Sequence, residues 1–342
     1  MARPRVARRL AGLALVALLA SGYFVATAVE QRRMAATQLS PSAVPAAAPP
    51  RIDAARLIAD VAALSAPDME GRRTGTPGNH RAQAFILARF RELGLKPAWA
   101  GYDQKFSFEH RSIIGTVMPG RPAKTAYPDA TNLAGLVRGT ASPDDVLLLS
   151  AHYDHLGVKN GALYPGADDN ASGVATLLQV AAYIAAHPLR HSVLFVAFDA
   201  EEQGLKGAAY FVAHPAVDLK RIRLMINLDM VSKSDTASIV ASGTAFDPSL
   251  KNLVARAAGG RRLTVAFGHD RPVYAAGGVE DWTQQSDQGP FHDAGVRTLY
   301  YGVEDHADYH RPTDTADSIP RPFFSEVAEL VLQTLLEADG SS

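Results

Sequence analysis

"VLLLSAHYDHLG", Val146 to Gly157, is the stretch on which the fold turns. Its first four residues are apolar without a break. That predicts a strand buried on both faces, as in a parallel sheet covered by helices. The run then meets a dense polar group: His152, Tyr153, Asp154 and His155. In open α/β sheets, ligands bind beyond the carboxyl ends of the strands. The same stretch therefore predicts an architecture and the edge where its chemistry lies.

The pattern recurs along the chain. "SVLFVAF", Ser192 to Phe198, runs into Asp199-Ala200-Glu201-Glu202. Leu224 to Leu228 runs into Asp229, and Arg297 to Tyr301 into the loop "EDHADYH", Glu304 to His310. Asn132 to Arg138 reads as a further strand. Apolar residues at helical spacing predict helices over Ile52–Leu64, Arg81–Leu93, Ser172–Ala186, Gly207–Ala213, Ser249–Ala258 and Phe323–Leu336. Strands alternating with helices predict an α/β fold: a mostly parallel or mixed central sheet with helices on both faces.

Composition narrows the function. The 342 residues are 47% hydrophobic, enough for a substantial core. A net charge of -1 lacks the basic excess of a nucleic-acid binder. There is no cysteine, hence no disulfide framework, no thiolate zinc site and no cysteine nucleophile. A metal would be held by His, Asp and Glu.

The N-terminus reads as a targeting segment. Arg3, Arg5, Arg8 and Arg9 precede the apolar run from Leu10 to Ala20, and Ala26-Thr27-Ala28 has the small-x-small form of a cleavage site. Residues 1–28 are expected to be a signal peptide, or an N-terminal anchor tethering the chain through residues 10–29. Tyr23, Phe24 and Val25 extend the apolar character to roughly 20 residues, long enough for a span. Either reading exports the rest of the chain to the periplasm or the cell exterior, and an anchor would hold it in the inner membrane. Residues 29–50 are a Pro/Ala-rich linker, and residues 51–342 are expected to form one domain.

The candidate site draws on five segments. "PGADDNASGVA", Pro165 to Ala175, carries Asp168, Asp169 and Asn170 where one helix cap would suffice, so at least one has another task. Imidazoles and carboxylates suit zinc. Two ions about 3.5–4 Å apart need a bridging carboxylate and can activate water between them. The adjacent Glu201 and Glu202 point in different directions, so one can bind metal while the other acts as general base. Alternation along an extended chain places His152 and Asp154 on one face, with Tyr153 and His155 turned away.

Taken together, "HYDHLG", "GADDNASG", "DAEEQGLKG", "NLDM" and "DYHRPTDT", with "EGRRTGTPG" and "SDQGPF", resemble the zinc aminopeptidases of peptidase family M28, in its exported bacterial branch. The resemblance covers most of the chain from Arg51 onward and implies the zinc-exopeptidase fold without a protease-associated insertion. It implies two zinc ions, replaceable by cobalt or manganese, and peptide substrates. His152 and Asp229 would hold one ion, Glu202 and His310 the other, and Asp168 would bridge them. Glu201 would be the general base, Asp154 would orient His152, and Asp314 would support the His310 loop. The chain has Ser286-Asp287-Gln288 where the family often has Ser-Asp-His, which leaves the oxyanion donor open among Trp282, Thr283 and Tyr274.

Trp282, Ser286, Asp287 and Phe291 are candidates for substrate contact, with Phe246 and Phe267 as further candidates for the specificity pocket. His306 is read as a solvated loop residue, and His187, His191 and His214 as surface residues. The leading function is removal of N-terminal residues. A carboxypeptidase, dipeptidase or other amidohydrolase is the alternative, followed by a glutaminyl cyclase or a non-catalytic ectodomain.

Overall fold

The run from Val146 to Leu149 lies inside a nine-stranded sheet. The computed structural model describes residues 38–42, 49–111, 124–271 and 279–340. The targeting segment, part of the linker and Tyr274 lie outside the described residues. The strands are β1 (Lys96–Pro97), β2 (Asp103–Arg111), β3 (Lys124–Val137), β4 (Ser142–His152), β5 (Gly157–Lys159), β6 (Ala162–Tyr164), β7 (His191–Phe198), β8 (Ile222–Leu228), β9 (Ser238–Ser242), β10 (Thr264–Phe267) and β11 (Thr298–Gly302). The α-helices are α1 (Ala54–Leu64), α2 (Pro77–Glu92), α3 (Gly173–Ala186), α4 (Lys206–Ala213), α5 (Ser249–Ala257), α6 (Gln288–Asp293) and α7 (Arg321–Gly340).

The sheet runs β1-β3-β7-β4-β8-β11-β9-β10, with β2 also paired to β3. Its centre is parallel: β4 pairs in parallel with β7 and β8, and β8 with β11. Antiparallel pairs flank it, β3 with β7 and β11 with β9. The four central strands therefore present their carboxyl ends on one edge. Strand alternation divides the core. Leu147, Leu149 and Ala151 pack with residues of α1, α2, α3, α5 and α7. Val146 and Leu148 pack on the other face with Ala208 and Phe211 of α4 and Phe291 of α6. β7 is buried along its whole length, as expected for a strand with helices on both faces.

Several elements have weak signals in the sequence. Asn132–Arg138 is the second half of a longer strand, whose first half is largely exposed and contains Pro128. β9 and β10 span five and four residues, too short for a clear apolar period. Leu39, within the expected linker, exchanges two backbone hydrogen bonds with Val265 of β10. Among the described residues no helix is long and apolar enough to cross a membrane.

Candidate metal centre

The acids and imidazoles past β4, β7, β8 and β11 converge. His152 is the last residue of β4, and its Nε2 lies 3.2 Å from Asp229 Oδ1, just past β8. The same nitrogen lies 3.5 Å from Asp169 Oδ1. A second cluster forms beside it. His310 Nε2 stands 3.1 Å from Asp169 Oδ2 and 3.5 Å from Glu202 Oε1. His155 Nδ1 approaches the same two oxygens, at 3.6 Å and 2.8 Å. Asp169 thus turns one carboxylate oxygen to each cluster.

The loop from Gly166 to Ser172 separates tasks that adjoin in sequence. Gly166 is left-handed at φ 60, and a Cβ there would come within 2.1 Å of the Asp169 carbonyl and 2.5 Å of His155 Cδ2. Only glycine fits. Asp168 turns away from the clusters. Its Oδ1 accepts from the Ser232 amide and hydroxyl, both at 2.7 Å, and its Oδ2 lies 2.9 Å from His306 Nε2. Asn170 accepts from the amide of Gly173, the first residue of α3, at 3.0 Å, and donates to the Leu228 carbonyl at 2.8 Å. This corrects the expected bridge: the residue between the clusters is Asp169, and Asp168 is a buried anchor. Spacing could not separate two adjacent aspartates, because non-helical backbone at Asp169 and Asn170 re-aims their side chains.

Surrounding residues hold these loops in place. Arg72, fully buried, donates to the carbonyls of Tyr153 at 2.9 Å, Leu64 and Pro165 at 2.7 Å, and Gly166 at 2.8 Å. Burial lowers its pKa to about 10 while the carboxylates of Asp169 and Asp314 oppose the shift. Asp314 accepts from the amides of Asp168 and Asp169 at 2.9 and 3.1 Å, and burial raises its pKa to about 6. His152 Nδ1 lies 3.1 Å from the backbone carbonyl of Asp154 and 3.8 Å from its carboxylate. The expected side-chain contact is thus replaced by a backbone one. The Asp154 carboxylate instead accepts from the amides of Glu201 and Glu202, at 3.0 and 3.4 Å.

Charges are correspondingly perturbed. Burial opposes protonation of His152, but Asp229 and Glu201 beside it raise its pKa well above the ordinary value. Burial raises Glu201, and Asp229, Asp287 and Glu202 add to the rise against the opposing pull of His152. Burial would also raise Glu202, but His155 and His310 bring it well below the carboxylate range. Burial opposes the charge on His310, yet Asp169 and Glu202 lift it to about 10. Several buried polar atoms make no hydrogen bond among the described residues, among them Glu202 Oε1 and both ring nitrogens of His155. Such atoms are costly unless something satisfies them. Donor atoms of His152, Asp169 and Asp229 lie within 4.8 Å of one another, as do those of His155, Asp169 and Glu202. The donor set fits divalent ions.

Other expectations need correction. Phe291 is fully buried against Phe198 and Phe211, and Ser286 accepts from Asn227 Nδ2 at 2.9 Å inside the core. Asp287 is fully buried, and neither of its oxygens is hydrogen-bonded among the described residues. These three do not line an open pocket. Trp282 is buried against His269, with ring centroids 3.7 Å apart. Phe267 is buried and Phe246 exposed beside His292. His306 is not solvated but buried on Asp168, and His191 is buried with Nδ1 2.8 Å from Asp339. Tyr309 was overlooked in the sequence. It stacks on His310 with centroids 3.9 Å apart, and burial together with Asp169 and Asp229 keeps its phenol protonated. Its place next to a candidate ligand was the available signal.

The fold is that of the zinc aminopeptidases. Residues 132–335 match peptidase family M28, and the chain belongs to that family. It is 31% identical over 282 residues to aminopeptidase YwaD of Bacillus subtilis (strain 168), covering 80% of this chain and 53% of YwaD. The chain thus spans about half the length of that relative. Among solved structures, it resembles the aminopeptidase from Aneurinibacillus sp. strain AM-1 at TM-score 0.68 and 18% identity, covering 84% of this chain and 94% of the other. It also resembles Porphyromonas gingivalis glutaminyl cyclase at TM-score 0.63 and 20% identity, covering 84% and 99%. At these identities the likeness establishes the fold alone.

Proposed function

We propose that the chain is a two-metal exopeptidase that removes N-terminal residues from peptides. The observation that carries this reading is Asp169, whose Oδ1 lies 3.5 Å from His152 and whose Oδ2 lies 3.1 Å from His310. One carboxylate would join two ions. His152 and Asp229 would hold the first, and Glu202 and His310 the second. Zinc is the expected metal for imidazole and carboxylate donors, with cobalt or manganese able to replace it. The bound ions would polarise the scissile carbonyl and acidify water.

The chain's own residues supply the rest. Glu201 accepts the proton of the attacking water and returns it to the leaving amine. Asp154 holds the Glu201 backbone so that this carboxylate stays aimed. The Tyr300 hydroxyl is engaged with the Asp229 carbonyl at 3.2 Å, which leaves Tyr309 as the neutral O–H donor for the carbonyl oxygen as it gains charge. Export to the periplasm or cell exterior is proposed from the N-terminal basic and apolar segment alone.

The test is to titrate zinc into metal-free protein while assaying aminoacyl-anilides with free and blocked amines. Two ions bound and cleavage of free-amine substrates alone is expected. Equal cleavage of blocked substrates overturns the aminopeptidase reading, and a single ion overturns the two-metal reading.

A further inference from the structure

The motif that begins the site contains a second histidine with no assigned role. β4 ends at His152, so the strict alternation that would turn His155 away also ends there. The chain swings His155 back, and its ring packs against Gly166, where no side chain could be tolerated. The ring is fully buried, and neither nitrogen has a hydrogen-bond partner among the described residues. Nδ1 nevertheless lies 2.8 Å from Glu202 Oε1, likewise without one among them, and 3.6 Å from Asp169 Oδ2. At 2.8 Å the pair is close enough for a hydrogen bond, so what is missing is alignment of the ring N–H with the oxygen.

We propose that His155 is a protein ligand of the second metal, through Nδ1, completing a set with Asp169, Glu202 and His310. The proposal rests on the two-metal reading above. A tetrahedral zinc site with bonds of about 2.0–2.1 Å has donors spaced by about 3.3 Å. Four of the six spacings among these donors, 2.8, 3.1, 3.5 and 3.6 Å, scatter around that edge. An imidazole carrying its proton on Nε2 presents the Nδ1 lone pair to the ion. His152 and His155 would then serve different ions from one short motif, with Asp169 between them.

Affinity alone does not separate a ligand from a residue that orients Glu202, since loss of an orienting partner also weakens metal binding by about 10–100-fold. Counting imidazoles does. In protein loaded with cobalt, each bound histidine contributes one hyperfine-shifted, exchangeable ring N–H proton. Wild type is expected to hold two ions and show three such protons. His155→Gln is expected to show two, with the weaker of the two cobalt dissociation constants raised at least about tenfold. Two ions with only two shifted protons in wild type overturns the proposal and leaves the two-metal reading intact. A single ion in wild type overturns both. The wild-type count needs no variant, so it decides the matter even if His155→Gln folds poorly.

Discussion

The carboxylate of Asp154 accepts a hydrogen bond from the backbone amide of Glu201 at 3.0 Å, rather than facing the ring of His152. The residue two positions after the first candidate ligand, His152, thus steers the proposed base. Asp154→Ala leaves that part-buried amide without its acceptor and frees Glu201 to shift. Misplacement by about 1 Å can cost about 10²-fold in rate. A fall of that order in kcat is expected, with KM little changed and Asp154→Asn intermediate. Steady-state kinetics showing unaltered kcat in the alanine variant would remove the positioning role.

Asp168 and Asp169 should separate cleanly on substitution. Asp169→Asn is expected to lose metal at both clusters. Asp168→Asn keeps the site but weakens the contacts to Ser232 and His306. Its expected effect is a loss of about 1–3 kcal/mol in stability with two ions retained. Metal analysis beside urea unfolding distinguishes the two, and the reverse assignment would restore Asp168 as the bridge.

Glu201→Gln preserves shape and removes the proton acceptor. Metal content should remain that of wild type, while kcat falls by about 10²–10⁴-fold. Near-normal turnover in a fully loaded variant would show that another group takes the proton.

Asp287 predicts a pH dependence in metal-free protein. Burial raises its pKa to about 7, above the ordinary carboxylate value that it has when unfolded. The folded state then binds the proton more tightly than the unfolded one. The resulting stability is fully present below about pH 4 and is lost as pH rises through about 7, at up to about 1.4 kcal/mol per pH unit. Asp287→Asn, which cannot ionise, should flatten this part of the profile and be the more stable protein above neutrality. Urea midpoints measured with chelator between pH 5 and 8 check the sign. Parallel profiles would show that Asp287 does not titrate in this range.

Much of the architecture was legible because buried parallel strands leave a continuous apolar signature. β4, β7, β8 and β11 all carry it, and the polar residues after each of them mark the working edge. What escaped was local. Alternation predicts side-chain direction only while the chain stays extended, and it fails at His155, three residues beyond the end of β4. Periodicity also cannot rank Asp168 above Asp169, since the left-handed Gly166 and the turn after it decide where each points. Aromatic residues near the motifs suggested a pocket, but Phe291 belongs to the core between sheet and helix. Composition cannot tell those two uses of a phenylalanine apart.

Arg72 lies outside the stretch that matches the family, residues 132–335. It nonetheless binds carbonyls on both sides of the candidate site, at Tyr153 and Gly166. A fragment beginning at Asn132 would leave those carbonyls, and the ones at Leu64 and Pro165 where retained, without their buried donor. A fragment cut to residues 132–335 would therefore lack part of what holds its own candidate-site loops. The N-terminal segment that carries Arg72 belongs to the same working unit as the candidate-site loops whose carbonyls it holds.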